Sequence, residues 1–248
     1  MSTPESYAPR VRLFIDGPRL GEGATLKLAS HQVHYLRTVL RLGEGAHVAL
    51  FNGQDGEWRA RIARLGKKDG MVECSSKTAE QESVPDLWLV FAPIKRGRID
   101  WLVEKATELG VARLIPVITR RTVVARLNHE RLRAHAIEAA EQCGRTHVPP
   151  IEAPKPLPEV LAEWPAGRRL MFCDELKGGG GAGAAMRAQG GASWGILTGP
   201  EGGFEAGERA MLAAHPASLA VSLGPRILRA DTAAVAALTL WQATLGDW

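Results

Sequence analysis

Thiols are scarce in this chain: among its 248 residues only Cys74, Cys143 and Cys173 are cysteines. They are odd in number and far apart, which argues against a disulfide framework or a cysteine-based zinc site and points to a reducing compartment. No apolar run approaches the ~20 residues of a membrane span. The polar N-terminus also lacks the apolar core of a signal peptide. The expected location is therefore cytoplasmic, without contact to a membrane. Metal-ligand pairs are missing too: His31 and His34 come nearest, while His47, His129, His135, His147 and His215 are scattered. No metal is expected. Neither a Ser-His-Asp nor a Cys-His grouping stands out, so covalent nucleophilic catalysis has no visible carrier.

What is present is ordinary in bulk and uneven in charge. A hydrophobic share of 45% and a charged share of 23% suit a soluble globular protein, and the length suffices for one large domain or two modest ones. Net charge is +4 and the sequence pI about 9.1. The basic residues cluster: Arg10 with Arg12, Arg37 with Arg41, Arg59 to Lys68, Lys95 to Arg98, and Arg120 with Arg121. Any one cluster suits a solvated face. Five of them, concentrated in the first half, favour a polyanion such as nucleic acid.

Organisation changes along the chain. Up to about residue 80 the runs at 11–15, 47–51, 58–62 and 71–75 are short and strand-like, separated by Asn52-Gly53, Asp55-Gly56 and Asp69-Gly70 turn signals. One helix interrupts them, with Ser30 as its expected N-cap and Val33, Leu36, Val39 and Leu40 at helical spacing. A small β-barrel over 1–78 is expected. Residues 79–86, acidic and containing Pro85, read as a linker. From 86 to 248 strand and helix alternate, the pattern of an α/β domain. Strands are expected at 87–94, 111–118 and 169–173, helices after residue 98 and over 130–143, and a glycine-rich flexible connection at 178–183.

Two glycine turns near the C-terminus carry most of the functional information. The first is Leu197-Thr198-Gly199-Pro200-Glu201-Gly202-Gly203, the second Leu223-Gly224-Pro225-Arg226-Ile227-Leu228-Arg229-Ala230-Asp231-Thr232-Ala233. Each follows a buried-strand pattern and precedes a helical one, and loops at the carboxyl ends of strands are where open α/β sheets bind ligands. The first is not the dinucleotide fingerprint, because its spacing is Gly-x-x-Gly-Gly. Bare glycine backbone in both turns would let a flat ring lie between them. Arg226 and Arg229 add a guanidinium pair within a loop that Pro225, Ile227 and Leu228 are expected to order. Asp231 reads as N-cap of the closing helix, with a functional role left open beside it.

On these residues the chain resembles the bacterial ribosomal RNA small subunit methyltransferase E family, of the SPOUT class. The resemblance spans nearly the whole chain. It includes His34-Tyr35-Leu36-Arg37-Thr38-Val39-Leu40-Arg41, Lys105-Ala106-Thr107-Glu108-Leu109-Gly110, Glu141-Gln142-Cys143-Gly144-Arg145 and both glycine turns in tandem. It implies a PUA-like RNA-binding barrel joined to a methyltransferase domain with a deep trefoil knot, and a homodimer. It further implies S-adenosylmethionine as cofactor and methylation of N3 of one 16S rRNA uridine near the decoding region of the assembled small subunit. The family commonly has Arg-x-Glu-Thr-Ala where this chain has Arg229-Ala230-Asp231-Thr232-Ala233. That shorter carboxylate favours the cap reading of Asp231 over a catalytic one.

The expected cofactor-binding residues are Thr198, Gly199, Glu201, Gly202, Gly203, Leu223, Gly224 and Leu228. The catalytic candidates are Arg229, Arg226 and Asp231, with Arg10, Arg37, Arg41, Lys95, Arg98 and Arg121 on RNA. The basic clusters are read as lacking neighbouring aromatics, so the small domain is expected to grip RNA backbone rather than stack bases. Two rival readings remain: a non-catalytic RNA-binding assembly factor, and a SPOUT enzyme acting on another RNA position.

Overall fold

The structure, a computed structural model, describes residues 11–124, 126–174 and 181–248. Arg10 and the glycines at 178–180 lie outside the described residues. The chain divides into two compact units, Met1–Ser83 with Ala140–His147, and Val84–Ala139 with Val148–Trp248.

The first unit holds β1 (Arg12–Phe14), β2 (Thr25–Lys27), α1 (Ser30–His34), β3 (His47–Phe51), β4 (Glu57–Leu65) and β5 (Gly70–Ala79). They form a mixed sheet in the order β1-β3-β4-β5-β2, in which only β1 and β3 run parallel. Side chains alternate across a strand, so Val48 and Leu50, Ala60 and Ile62, and Val72 and Cys74 enter one core with Val33 and Leu36 of the helical segment. The turn signals did not announce β2. Nor is Ser30 the N-cap: Ala29 holds that position, and the Gln32 side chain accepts its amide at 3.0 Å. Glutamine reaching back from the third helical residue does the capping work expected of a serine hydroxyl.

Arg12 is consumed inside this unit. Its guanidinium donates to the carbonyls of Ala140 at 2.7 Å, Glu141 at 3.2 Å and Arg145 at 2.9 Å, and to the Glu57 carboxylate at 2.6 Å. It also lies 4.6 Å over the Phe51 ring. A cation on the last carbonyls of a helix satisfies orphan acceptors and complements the helix dipole. The segment read as a linker is also anchored. β5 runs through Ala79, and beyond it Glu82 accepts the His147 amide at 2.5 Å and an Arg145 guanidinium proton at 3.4 Å.

The second unit holds β6 (Leu87–Phe91), α2 (Arg98–Glu108), β7 (Arg113–Ile118), most of α3 (His129–Cys143), β8 (Lys155–Pro156) and α4 (Leu157–Ala162). After these come β9 (Arg169–Cys173), α5 (Ala182–Gln189), β10 (Trp194–Thr198), α6 (Ala206–Ala214), β11 (Ser218–Val221) and α7 (Ala230–Leu245). All six strands run parallel in the order β11-β9-β10-β6-β7-β8. Both faces are covered, as parallel sheets require. Leu87, Leu89, Phe91, Met171 and Ile196 face one core with α2, α5 and α7, while Val90, Leu170, Phe172 and Leu197 face the other with α4 and α6. The flexible connection expected through residue 183 is shorter than that, because Gly183 belongs to α5. There a Cβ would meet the Thr244 hydroxyl of α7 at 3.4 Å.

Two buried polar side chains, Arg168 and Gln242, hold this unit together. Arg168 donates twice to the Asp86 carboxylate at 2.6 Å, and to the carbonyls of Asp86 at 3.0 Å and Trp194 at 3.1 Å. Its guanidinium also stacks on Trp88 at 3.5 Å. Gln242 of α7, 1% exposed, donates to the Leu109 carbonyl at the end of α2 at 2.7 Å. Gly110 there has φ 80°, and a Cβ would lie 2.5 Å from the Gln242 amide nitrogen, so only glycine fits this helix end.

Candidate active site

β9, β10 and β11 end side by side, and the loops that follow them enclose a cleft of about 260 Å³. The residues after β10 form one wall, held by backbone hydrogen bonds. Thr198 is buried, and its carbonyl accepts the Ala92 amide at 3.1 Å. Gly203 has φ 69° and donates to the Pro200 carbonyl at 2.9 Å, closing the turn. A Cβ on Gly199 would lie 3.0 Å from the Phe204 ring, itself 3% exposed and edge-on to Phe172. The turn is held from below by Glu208, buried in α6, which accepts the amides of Arg120 at 2.8 Å and Glu205 at 2.9 Å.

The second wall is more exposed and charged. Gly224 has φ 110° and leaves bare backbone on the cleft. Arg226 and Arg229 are exposed at the rim, with Leu223 and Leu228 half-buried beside them. Ile227 is 84% exposed, so it does not order the loop through burial as expected. The third contribution comes from β9. Asp174 and Arg209 of α6 make a mostly buried ion pair at 3.2 Å on the cleft wall. Next to them, burial pushes the Cys173 thiol up to about 12, which keeps it protonated and without net charge.

Of the expected cofactor residues, Thr198, Gly199, Glu201, Gly203, Leu223, Gly224 and Leu228 line this cleft, as do Arg226 and Arg229. Gly202 does not: its carbonyl accepts from Arg121 at 2.7 Å, and its Cα faces the Arg121 side chain. Asp231 is not on the lining, and it is not the N-cap of α7. Arg229 occupies the cap position, while Asp231 sits in the first turn and accepts the Thr232 amide at 2.9 Å. An aspartate there still complements the positive end of the helix dipole. Asp174, Arg209, Phe204 and Ser222 were missed, although Asp174 follows an expected strand end and the rule that selected the two glycine turns would have included it.

The expected RNA-contact residues fall on both units. Arg37 and Arg41 are exposed on the first unit, and Lys95 is exposed after β6. Arg98 lies 3.9 Å from the Glu201 carboxylate, and Arg121 braces residues 202–205 through Gly202 and through Glu205 at 3.8 Å. Among the described residues, no group of histidine, cysteine and carboxylate side chains has the makings of a metal centre. Among the described residues no helix is long and apolar enough to cross a membrane.

Residues 80–242 match the model of the RNA methyltransferase domain, and residues 28–70 that of the RNA methyltransferase PUA domain. The parallel sheet with its loop-built cleft is thus that of an RNA methyltransferase. The chain is 35% identical to the ribosomal RNA small subunit methyltransferase E of Rickettsia conorii, over 92% of this chain and 93% of that one. It is 32% identical to the enzyme of the same name from a Synechocystis strain, over 97% of this chain and 80% of the relative. The solved ribosomal RNA small subunit methyltransferase E of Neisseria gonorrhoeae, bound to S-adenosyl methionine, superposes with TM-score 0.84 at 30% identity, covering 94% and 97% of the two chains. A Legionella pneumophila protein described as a methyltransferase in complex with the bound cofactor SAM reaches 0.86 at 30% identity, covering 96% and 99%. The chain belongs to the ribosomal RNA small subunit methyltransferase E family.

Proposed function

We propose that this chain methylates N3 of one uridine of 16S rRNA, near the decoding region of the assembled small subunit, using S-adenosylmethionine. The observation that carries this reading is the single cleft that joins both glycine turns to the Arg226 and Arg229 pair. The cleft fits such a cofactor. Bare backbone at Gly203 and Gly224 admits a flat purine, Gly199 makes room for the Phe204 ring, which with Leu223 and Leu228 supplies apolar cover, and Asp174, Glu201 and the arginines offer both signs of charge to a zwitterionic amino-acid end. The proposed cofactor contacts are therefore Thr198, Gly199, Glu201, Gly203, Leu223, Gly224 and Leu228. The fold reading extends to the SPOUT class, with a knotted C-terminal part and a homodimer.

When bound, the cofactor supplies a methyl carbon on a sulfonium, an electrophile that needs alignment more than activation. The residues of the cleft provide that alignment, and positioning of this kind can remove about 7–11 kcal/mol of a barrier. Uracil N3 must lose its proton, which leaves negative charge on the ring oxygens. Arg229 and Arg226 stabilise that charge as preorganised donors. Lys95, Arg37 and Arg41 hold RNA phosphates, whereas Arg98 and Arg121 act through the glycine turn they brace. Mass mapping of 16S rRNA tests the reading. A strain lacking this chain loses one N3-methyluridine, and the wild-type chain restores it while Arg229→Ala does not. An unchanged rRNA mass profile would refute the activity, and a missing ribose methyl would move it to another SPOUT chemistry.

A further inference from the structure

Beyond α1 the chain makes a π-helical turn, Tyr35–Val39, closed by the Leu40 amide donating to the Tyr35 carbonyl at 3.0 Å. Such turns are rare and concentrate at functional sites. Arg41 follows with φ 54°, the one non-glycine residue of positive φ among the described residues. Residues with side chains seldom adopt that conformation, and strain of this kind also gathers at functional positions. Burial explains how the turn is held. Val33 and Leu36 are fully enclosed, and Gln32 donates to the Phe14 carbonyl at 2.8 Å, which leaves Tyr35, Arg37, Val39 and Arg41 facing solvent.

The exposed side is chemically distinctive. Tyr35 is 41% and Val39 59% exposed. One helical turn apart, they make adjoining apolar surface. Tyr35 is also the one exposed aromatic of the first unit among the described residues. Residues 30–41 contain no acidic side chain, so Arg37 and Arg41 have no local carboxylate to neutralise them. A flat aromatic with an aliphatic neighbour, flanked by two cations, matches a nucleotide with its base exposed better than it matches a duplex, whose base faces are stacked away.

We propose that Tyr35 and Val39 form a platform for one unpaired RNA base, with Arg37 and Arg41 holding the phosphates beside it. The platform rests on the RNA-methyltransferase reading, and it replaces the expectation that this unit grips backbone alone. The test uses the full chain with a fluorescein-labelled single-stranded 12-nucleotide uridine RNA and an RNA duplex of equal length. Wild type should prefer the single strand. Tyr35→Ala should weaken single-strand binding about 5- to 150-fold, the worth of one stacked base, with little change on the duplex. Tyr35→Trp should retain it. The salt slope should survive Tyr35→Ala but fall by about 0.7 in Arg37→Ala, which removes one phosphate contact. Normal binding by Tyr35→Ala beside weakened Arg37→Ala overturns the platform and leaves RNA binding by this unit intact. Equal loss on both RNAs, or no single-strand preference in wild type, overturns the platform as well. Normal binding by every variant, including Arg37→Ala, overturns RNA binding by this unit.

Discussion

Gly199→Ala is the most informative single change in the cleft. The backbone there is not left-handed, so the new Cβ adds no torsional strain, and its cost is steric. The Cβ would meet three Phe204 ring carbons at 3.0, 3.2 and 3.3 Å, where ordinary contact begins near 3.5 Å. Phe204 is 3% exposed and packed on Phe172, so it has little room to retreat within the core. Overpacking of this kind costs about 1–3 kcal/mol. Because Gly199 and Phe204 both line the cleft, the easiest relief moves one of them into the cofactor space. Isothermal titration with S-adenosylhomocysteine should then show affinity about 5- to 150-fold weaker, the same energy expressed in binding. Phe204→Leu in the same chain removes the ring and should recover most of that loss, giving a non-additive cycle. Gly202→Ala is the control. Its Cβ would approach only the flexible Arg121 side chain at 3.3 Å, outside the cleft, so affinity should stay near wild type. Equal losses in Gly199→Ala and Gly202→Ala, or no recovery with Phe204→Leu, would refute the assignment of this turn.

Three further outcomes follow from the same geometry. Arg229→Ala should lower single-turnover methylation about 10²–10³-fold with cofactor affinity nearly unchanged, and Arg229→Lys should recover only part, since lysine lacks the planar fork; a parallel loss of rate and affinity would mean that Arg229 only orders the loop. Arg12→Ala should lower stability by about 2–4 kcal/mol, because it strips one partner from several helix-end carbonyls and from Glu57, and a chemical denaturation midpoint equal to wild type would refute that. At Asp86, burial alone would raise the carboxyl, but hydrogen bonds from Arg168 and Ser193 and the charges of Arg168 and Arg113 outweigh it and hold the group below its ordinary value. Its stabilisation is therefore complete above the usual carboxylate range near pH 4 and is lost as pH falls through the lowered value. Asp86→Asn should flatten the acid side of the stability profile, with a small effect because the aspartate side chain is 44% exposed.

The local sequence determined many of the elements, though not β2, and the places where function gathers. Continuous apolar runs bounded by turn residues located β3 and β9 residue for residue, and glycine at 199, 203 and 224 marked the two walls of the cleft. These are short-range matters of side-chain periodicity and backbone freedom, and they need no knowledge of neighbours. Tertiary structure decided what each residue spends itself on. Arg12 read as one of several surface cations, yet the pairing of β1 with β3 places it among the carbonyls of residues 140–145, where it is no longer available to RNA. Arg121 read as an RNA contact, and only the structure shows that its guanidinium also braces Gly202. Both helix caps moved by one or two positions, from Ser30 to Ala29 and from Asp231 to Arg229, because main-chain geometry rather than residue type sets where a helix begins. Asp174 and Arg209, 35 positions apart in sequence, meet on the cleft because β11 docks outside β9 and carries α6 with it. Strand order is a long-range choice, decided by which buried faces pack together, and no window of the sequence contains both partners.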